Sequence, residues 1–326
     1  MGPSGTFSRL KDTLPKTIDN LIITHIDSDH IRGAIDLLAA PEFQVKRIFF
    51  NYPLQSINTA QDQALASQDL KNYKDIMIDG IHILSITEAN RFISLANDKG
   101  IPIISMYALT SGRDMGPGIL NLNALGPSTD NLNNFQQAII QNQNGGRIDS
   151  AIVNSASIIF NAVNIELVND TDSITNQFLF TGDANNYGNK RDIEEALGIA
   201  GRLVDKRYFS MLKVPHHGSS VTTDGGFYTR VRANIYLISG KNQSHPSYET
   251  LEWILNHRAN DEHISFYVTN RNDNVVNFIN NYHPSANNYS FFEFNNGAIR
   301  MDFRLENGVV SVPGTSQVFR IGRVIG

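Results

Sequence analysis

The chain reads as an α/β protein, and three observations lead there. Short β-branched runs such as Leu21-Ile22-Ile23 stop abruptly in polar clusters. Apolar residues then resume at helical spacing, as Ile31, Ala34, Ile35 and Leu38 do. The succession of apolar strand, polar turn and helix recurs along the chain, which is the pattern of a sheet flanked by helices.

Taken in order, residues 2–5 (Gly-Pro-Ser-Gly) are turn-like, and those up to about Leu14 read as a short helix. Residues 21–24 form the first strand, 25–30 the turn behind it, and 31–40 a helix. A second strand over 45–50 ends at Asn51, and helices are expected over 57–72 and 87–98. Strands at 101–105 and 119–125 flank a Gly- and Ser-containing stretch, 106–118, that reads as a mobile loop near the site. Pro127-Ser128-Thr129-Asp130 starts a helix running to about residue 143, which Gly145-Gly146 stops. Strands follow at 156–160, 163–168, 177–181, 208–214 and 234–239, with helices near 191–198 and 248–258. The last 60 residues alternate short strands with Asn- and Gly-rich turns. The expected organisation is a single domain over 1–326 of two α/β halves, roughly 1–150 and 151–326, with 271–326 as a β-rich extension.

Composition narrows the chemistry. With 326 residues and 41% hydrophobic content the chain can bury a substantial core. Its 27 basic and 32 acidic residues give a net charge of −5, so bulk charge recommends neither a nucleic-acid nor an anionic-membrane partner. No cysteine is present, which removes disulfides, thiolate zinc sites and cysteine nucleophiles together. Any metal ligands must therefore be His, Asp, Glu or Asn, a set suited to zinc, manganese or iron. There is no apolar run long enough to span a bilayer and no secretion-signal pattern, so a soluble, cytoplasmic protein is expected.

Four strand ends carry metal-capable residues: His25, Asp27, Asp29 and His30 behind the first strand, then Asp183, His216-His217 and His245. Strand ends of layered α/β proteins gather at sheet edges, where sites form. Two divalent cations about 3.5–4 Å apart need roughly six to eight protein ligands with a bridging carboxylate, for which Asp183 is the candidate. A capping role would account for one polar residue in the stretch 25–30, not for four. A water bridging such a pair is deprotonated near neutral pH, so no nucleophilic side chain is needed.

These residues also carry a resemblance. His25-Ile26-Asp27-Ser28-Asp29-His30 resembles the H-x-H-x-D-H signature of the metallo-β-lactamase superfamily, in the H-x-D-x-D-H form of hydrolases similar to the ComEC competence domain. Phe180-Thr181-Gly182-Asp183 resembles the T-G-D motif of that branch, Leu212-Lys213-Val214-Pro215-His216-His217-Gly218-Ser219 its L-K-V-P-H-H-G-S motif, and Ser239 with His245-Pro246 its S…N…H-P motif. The resemblance implies an αββα sandwich with two divalent metal ions, zinc or manganese, on one edge. It implies His25, Asp27, Asp29, His30, Asp183 and His216 as ligands, and hydrolysis by a metal-bridging hydroxide. Asp29 or His245 then handles the proton, His217 contacts the reacting group, and Lys213, Ser219 and Asn154 bind substrate. Two departures stand out. The strand pair that ordinarily opens the fold has no counterpart before Gly2, for which a truncated chain, a late start codon, or a partner or second copy completing that sheet are the alternatives. Asn154 falls where the superfamily's isolated third-motif histidine belongs.

The substrate expected from this branch is a phosphodiester, in nucleic acid or a nucleotide. Two other readings share the residues: a carboxylic-ester, lactone or thioester hydrolase of the same fold, and a catalytically impaired binding or regulatory subunit.

Overall fold

The computed structural model describes residues 6–52, 81–108, 113–114, 121–142, 148–163, 177–185, 208–240, 244–256, 264–269, 271–281, 289–293, 304–306, 309–311 and 323–325. The expected helices at 57–72 and 191–198, Gly145-Gly146 and most of the strand at 163–168 lie outside them. The chain is mixed α/β and divides into two compact units: Met1–Ala108 with Gly126–Ile158, and Leu109–Leu125 with Ile159–Gly326.

In chain order the described elements of the first unit begin with α1 (Thr6–Leu10), β1 (Thr17–Ile18), β2 (Leu21–Ile23) and α2 (Ser28–Ala39). They continue with β3 (Gln44–Val45), β4 (Ile48–Phe50), α3 (Ile81–Asp98) and β5 (Ile103–Ile104). Then β6 (Arg113–Asp114) and β7 (Asn121–Gly126) enter the sheet of the second unit, before α4 (Thr129–Asn142) and α5 (Ser150–Ser155) return to the first. The expected 45–50 strand is two strands in different sheets, because β3 pairs with β1 whereas β4 pairs with β2. Part of the expected mobile loop, Arg113–Asp114, is a strand paired antiparallel with β7.

The first unit's sheet is parallel, in the order β2-β4-β5, with Leu21 opposite Ile48 and Ile48 opposite Ile103. Helix α2 buries Ile31, Ala34, Ile35, Leu37 and Leu38, the stripe seen in the sequence. It ends at Ala40, held extended at φ −76°, ψ 122°, because the following Pro41 disfavours the helical region for the residue before it. The core combines these with Ile23, Ile48, Phe50 and Phe92, the two phenyl rings meeting edge to face at 5.4 Å. Arg32 and Glu88 form an ion pair between α2 and α3.

The second unit holds β8 (Ile159–Val163), β9 (Gln177–Phe180), β10 (Tyr208–Lys213), α6 (Gly225–Arg230), β11 (Arg232–Ile238), α7 (Tyr248–Asn256) and β12 (Ile264–Val268). After these come α8 (Asp273–Asn281), β13 (Tyr289–Glu293), β14 (Arg304–Glu306), β15 (Val309–Ser311) and β16 (Arg323–Ile325). Nine strands form one sheet in the order β16-β13-β12-β11-β10-β9-β8-β7-β6. The five from β9 to β13 run parallel to one another. Tyr236-Leu237-Ile238 and Phe266-Tyr267-Val268 are buried at consecutive positions, so the middle of this sheet is removed from water on both faces. Helix α8 occupies part of the segment expected to hold only strands and turns, and it joins two parallel neighbours, β12 and β13. The 156–160 strand begins later, at Ile159, because α5 precedes it.

Parallel pairing fixes where the chemistry falls. In β10, Lys213 sits opposite Phe180 of β9 and Leu237 of β11. The residues that follow these three strands, Thr181-Gly182-Asp183, Val214 to Ser219, and Ser239, therefore leave the sheet side by side along one edge.

Candidate metal centre

In the first unit the ligand-rich stretch is the exit of β2. Helix α2 begins at Ser28, three residues before the expected start at Ile31, so Asp29 and His30 stand in its first turn. Asp27 occupies the N-cap position, yet its side chain makes no capping hydrogen bond. Its Oδ2 lies 3.6 Å from Nε2 of His25 instead. Burial opposes ionisation of Asp27, but the histidine beside it outweighs this and holds the carboxyl below its usual range. In the same way Oδ2 of Asp29 lies 3.9 Å from Nε2 of His30. The two imidazole rings are 4.1 Å apart, centroid to centroid.

The other ring nitrogens face hydroxyls. Nδ1 of His25 is 3.1 Å from Thr24 Oγ1 and 3.3 Å from Ser157 Oγ, and Nδ1 of His30 is 3.3 Å from Thr24 Oγ1. Ser157 is brought there because the Ile158 amide donates to the Thr24 carbonyl at 2.9 Å. Asn154, in the last turn of α5, is buried, and its Oδ1 accepts no hydrogen bond among the described residues.

In the second unit three turns interlock. The Gly182 carbonyl accepts from Lys213 Nζ at 2.6 Å and from the His216 amide at 3.3 Å, while Thr181 Oγ1 donates to the Lys213 carbonyl at 2.7 Å. Lys213 Nζ also reaches Asp183 Oδ1 at 3.3 Å. This lysine, expected to bind substrate, is thus engaged with the turn that carries Asp183. His216 and His217 both adopt positive φ, 44° and 57°, a conformation that costs a non-glycine residue about 1–3 kcal/mol and collects at functional sites. At Gly218 φ is +82°, and a Cβ there would stand 2.8 Å from Cβ of Pro246. The Gly218 carbonyl accepts from both the amide (3.0 Å) and hydroxyl (2.9 Å) of Ser247, so His245-Pro246-Ser247 is fastened directly onto the His216-His217 turn.

His217 is held with one polarity. Its Nδ1 is 2.5 Å from the Ser239 carbonyl and 3.1 Å from the Ser239 hydroxyl. A carbonyl can only accept, so Nδ1 carries the proton, and a neutral ring leaves the lone pair on Nε2. That nitrogen lies 3.0 Å from Oδ2 of Asp183, which is 1% exposed. Burial pushes the half-buried His216 down to about 4, with Asp183 pulling the other way, so its ring is neutral and its lone pair available at pH 7. The ring centroids of His216 and His245 are 6.1 Å apart. Ser219 is buried and turned into its own loop, with Oγ 3.4 Å from the Val221 amide.

Buried histidine and aspartate side chains able to hold a metal ion are thus present among the described residues. In the first unit His25, Asp27, Asp29 and His30 lie together, and in the second Asp183, His216 and His217 with His245 beside them. The residues whose roles the sequence does not announce are Thr24 and Ser157. The usable signal is a hydroxyl side chain directly before the first histidine. No helix among the described residues is long and apolar enough to cross a membrane. No protein-family model matches the chain, and no curated protein is significantly similar to it.

Proposed function

We propose that this chain is a metal-dependent hydrolase of the metallo-β-lactamase type, built as an αββα sandwich, and that its substrate is a phosphodiester. The observation that carries the reading is one arrangement found three times. His25, His30 and His217 each set Nδ1 against an oxygen and Nε2 towards a carboxylate, Asp27, Asp29 and Asp183 respectively. Metal-ligating histidines are held this way, the outer nitrogen fixed by an oxygen and the inner one left with its lone pair. Two electron-rich atoms turned towards each other in a buried setting call for a cation between them.

The donor set passes the chemical test for zinc or manganese. It consists of imidazole nitrogens and carboxylate oxygens, and two of the nitrogens, Nε2 of His25 and Nδ1 of His216, are buried and make no hydrogen bond among the described residues. His25, Asp27, Asp29 and His30 would hold metal in the first unit, and Asp183, His216 and His217 would do so in the second. When bound, two such ions supply Lewis-acid stabilisation of developing negative charge and a water acidic enough to act near neutral pH.

The remaining work falls to the chain itself. Lys213 holds the Gly182-Asp183 turn in position and tempers the carboxylate's charge. Asp29, in the first turn of α2, or His245, beside the His216-His217 turn, handles the proton of the attacking water. The phosphodiester assignment rests on the H-x-D-x-D-H form of the stretch from His25 to His30. It is tested with zinc- or manganese-loaded protein on bis(p-nitrophenyl) phosphate, single-stranded DNA, a lactone and a thioester. Turnover of the first two, abolished by Asp29→Ala, is expected; turnover of the lactone or thioester alone would transfer the protein to the carboxylic-ester class.

A further inference from the structure

Thr24 sits between the two histidines of the first unit, and its hydroxyl poses a proton problem. Oγ1 lies 3.1 Å from Nδ1 of His25 and 3.3 Å from Nδ1 of His30, so one oxygen serves two ring nitrogens at once. A hydroxyl owns a single proton and two lone pairs. If it donates to either ring, that ring's Nδ1 must be bare, its proton sits on Nε2, and Nε2 can no longer bind a cation. If it accepts from both rings, both protons are outside and both Nε2 lone pairs are presented. Donating to one ring and accepting from the other also satisfies both contacts, but it leaves one Nε2 protonated; only the double acceptor presents both Nε2 lone pairs.

We propose that Thr24 is a shared acceptor that sets His25 and His30 in the Nδ1–H tautomer together, making it the positioning residue for two metal ligands. The backbone is arranged for this. Thr24 follows β2 directly, its carbonyl is pinned by the Ile158 amide at 2.9 Å, and the two rings lie 4.1 Å apart, centroid to centroid, with their planes tilted by 48°. Ser157 Oγ, 3.3 Å from Nδ1 of His25, adds a second oxygen on that ring. The two histidines are thereby coupled through one atom: a single substitution acts on both. A β-branched side chain at this position also suits the strand end, because its hydroxyl is carried on a stiff χ1. The choice of the double-acceptor state and its consequence for metal binding both rest on the hydrolase reading above; the oxygen shared by the two rings does not.

The test reads ring nitrogens in protein labelled with ¹⁵N-histidine, metal-free and at alkaline pH where imidazole is neutral. Wild-type protein is expected to show the proton on Nδ1 of both His25 and His30. Either ring with its proton on Nε2 overturns the proposal without need of any variant. In Thr24→Val, which keeps the shape and removes the acceptor, one or both rings are expected to move to Nε2–H and zinc affinity to fall about 10–100-fold, as on loss of other outer partners of metal ligands. Thr24→Ser is expected to retain both tautomers and the affinity. Thr24→Val with unchanged tautomers contradicts the assignment, even if affinity drops, since the residue then acts by packing alone. A switch in tautomer with undiminished affinity contradicts its role towards the ligands. A protein showing both Nδ1–H rings that binds no zinc would keep the proton assignment and remove the hydrolase reading instead.

Discussion

His217 aims Nε2 at Asp183 across 3.0 Å while its Nδ1 proton is committed to the Ser239 carbonyl. The pair is buried, so its two facing atoms have no access to water with which to share their charge. That relationship makes the second unit more than a collection of motif residues, and the consequences can be measured separately.

Asp183→Asn keeps the size of the side chain but halves its use to a cation, since an amide is a neutral donor and acceptor. The variant is expected to fold, because Lys213 can still donate to the Gly182 carbonyl. Its zinc affinity should fall by about two orders of magnitude or more and its hydrolysis by about 10³-fold, a magnitude ordinary for loss of a charge-stabilising group at a reacting centre. Calorimetric zinc titration of the metal-free protein checks the first figure.

Ser239→Ala and His217→Ala should separate backbone from side chain. The serine hydroxyl stands 3.1 Å from Nδ1, but the carbonyl at 2.5 Å survives the substitution. Removing the hydroxyl is expected to weaken metal binding less than about 10-fold, whereas removing the imidazole abolishes it at that site. Equal losses in the two variants would show that the carbonyl does not fix the tautomer.

Gly218→Ala introduces a Cβ 2.8 Å from Cβ of Pro246 at a φ of +82°. Both effects destabilise, together by about 2–4 kcal/mol. Because Gly218 also holds Ser247 through its carbonyl, His245 should shift with the loop, and activity should fall by more than stability alone explains. Comparing the urea midpoint with kcat of the still-folded fraction distinguishes the two contributions.

Stability at alkaline pH should report Tyr228. Burial raises its pKa above the ordinary 10.0, with the Thr223 hydroxyl at 3.2 Å lowering it slightly. Above the unfolded value the unfolded chain has released a proton that the folded chain retains. This contribution to stability is therefore complete below about pH 10 and is lost as pH rises, at up to about 1.4 kcal/mol per unit. Tyr228→Phe is expected to flatten the decline of the urea midpoint between about pH 10 and about pH 11.5, at a cost near 1 kcal/mol in neutral solution for the lost hydrogen bond. An identical slope in both proteins would place the alkaline transition elsewhere.

The strand ends were legible because their physics is local. Leu21 to Ile23, Tyr208 to Lys213 and the strand ending at Ile238 are apolar runs that stop at residues no core accepts. Three helices were not. Helix α6 opens with Gly225-Gly226, which disfavours a helix, and is held by Asp224, whose carboxylate accepts from the Phe227 amide. Helix α8 is rich in asparagine, yet Asn272 caps it through the Val275 amide and Val275 and Phe278 supply a buried face. Helix α5, capped by Asp149, is short enough for its apolar residues to resemble the start of the next strand. The ligand residues could be read from the motifs, but their orientation could not. Which nitrogen of His25, His30 or His217 carries the proton depends on Thr24, Ser157 and the Ser239 carbonyl, the last two brought in from more than 20 residues away in sequence. The bonds of Lys213 to Gly182 and Asp183 likewise join residues about 30 positions apart in sequence, which no local pattern displays.

Elemental analysis of the metal-free protein after reconstitution with zinc or manganese and removal of excess ion bears most directly on all of this. About two ions per chain are expected, with fewer in His25→Ala and in His217→Ala. A folded wild-type chain that retains no divalent metal with all its histidines and aspartates intact would contradict the hydrolase reading outright.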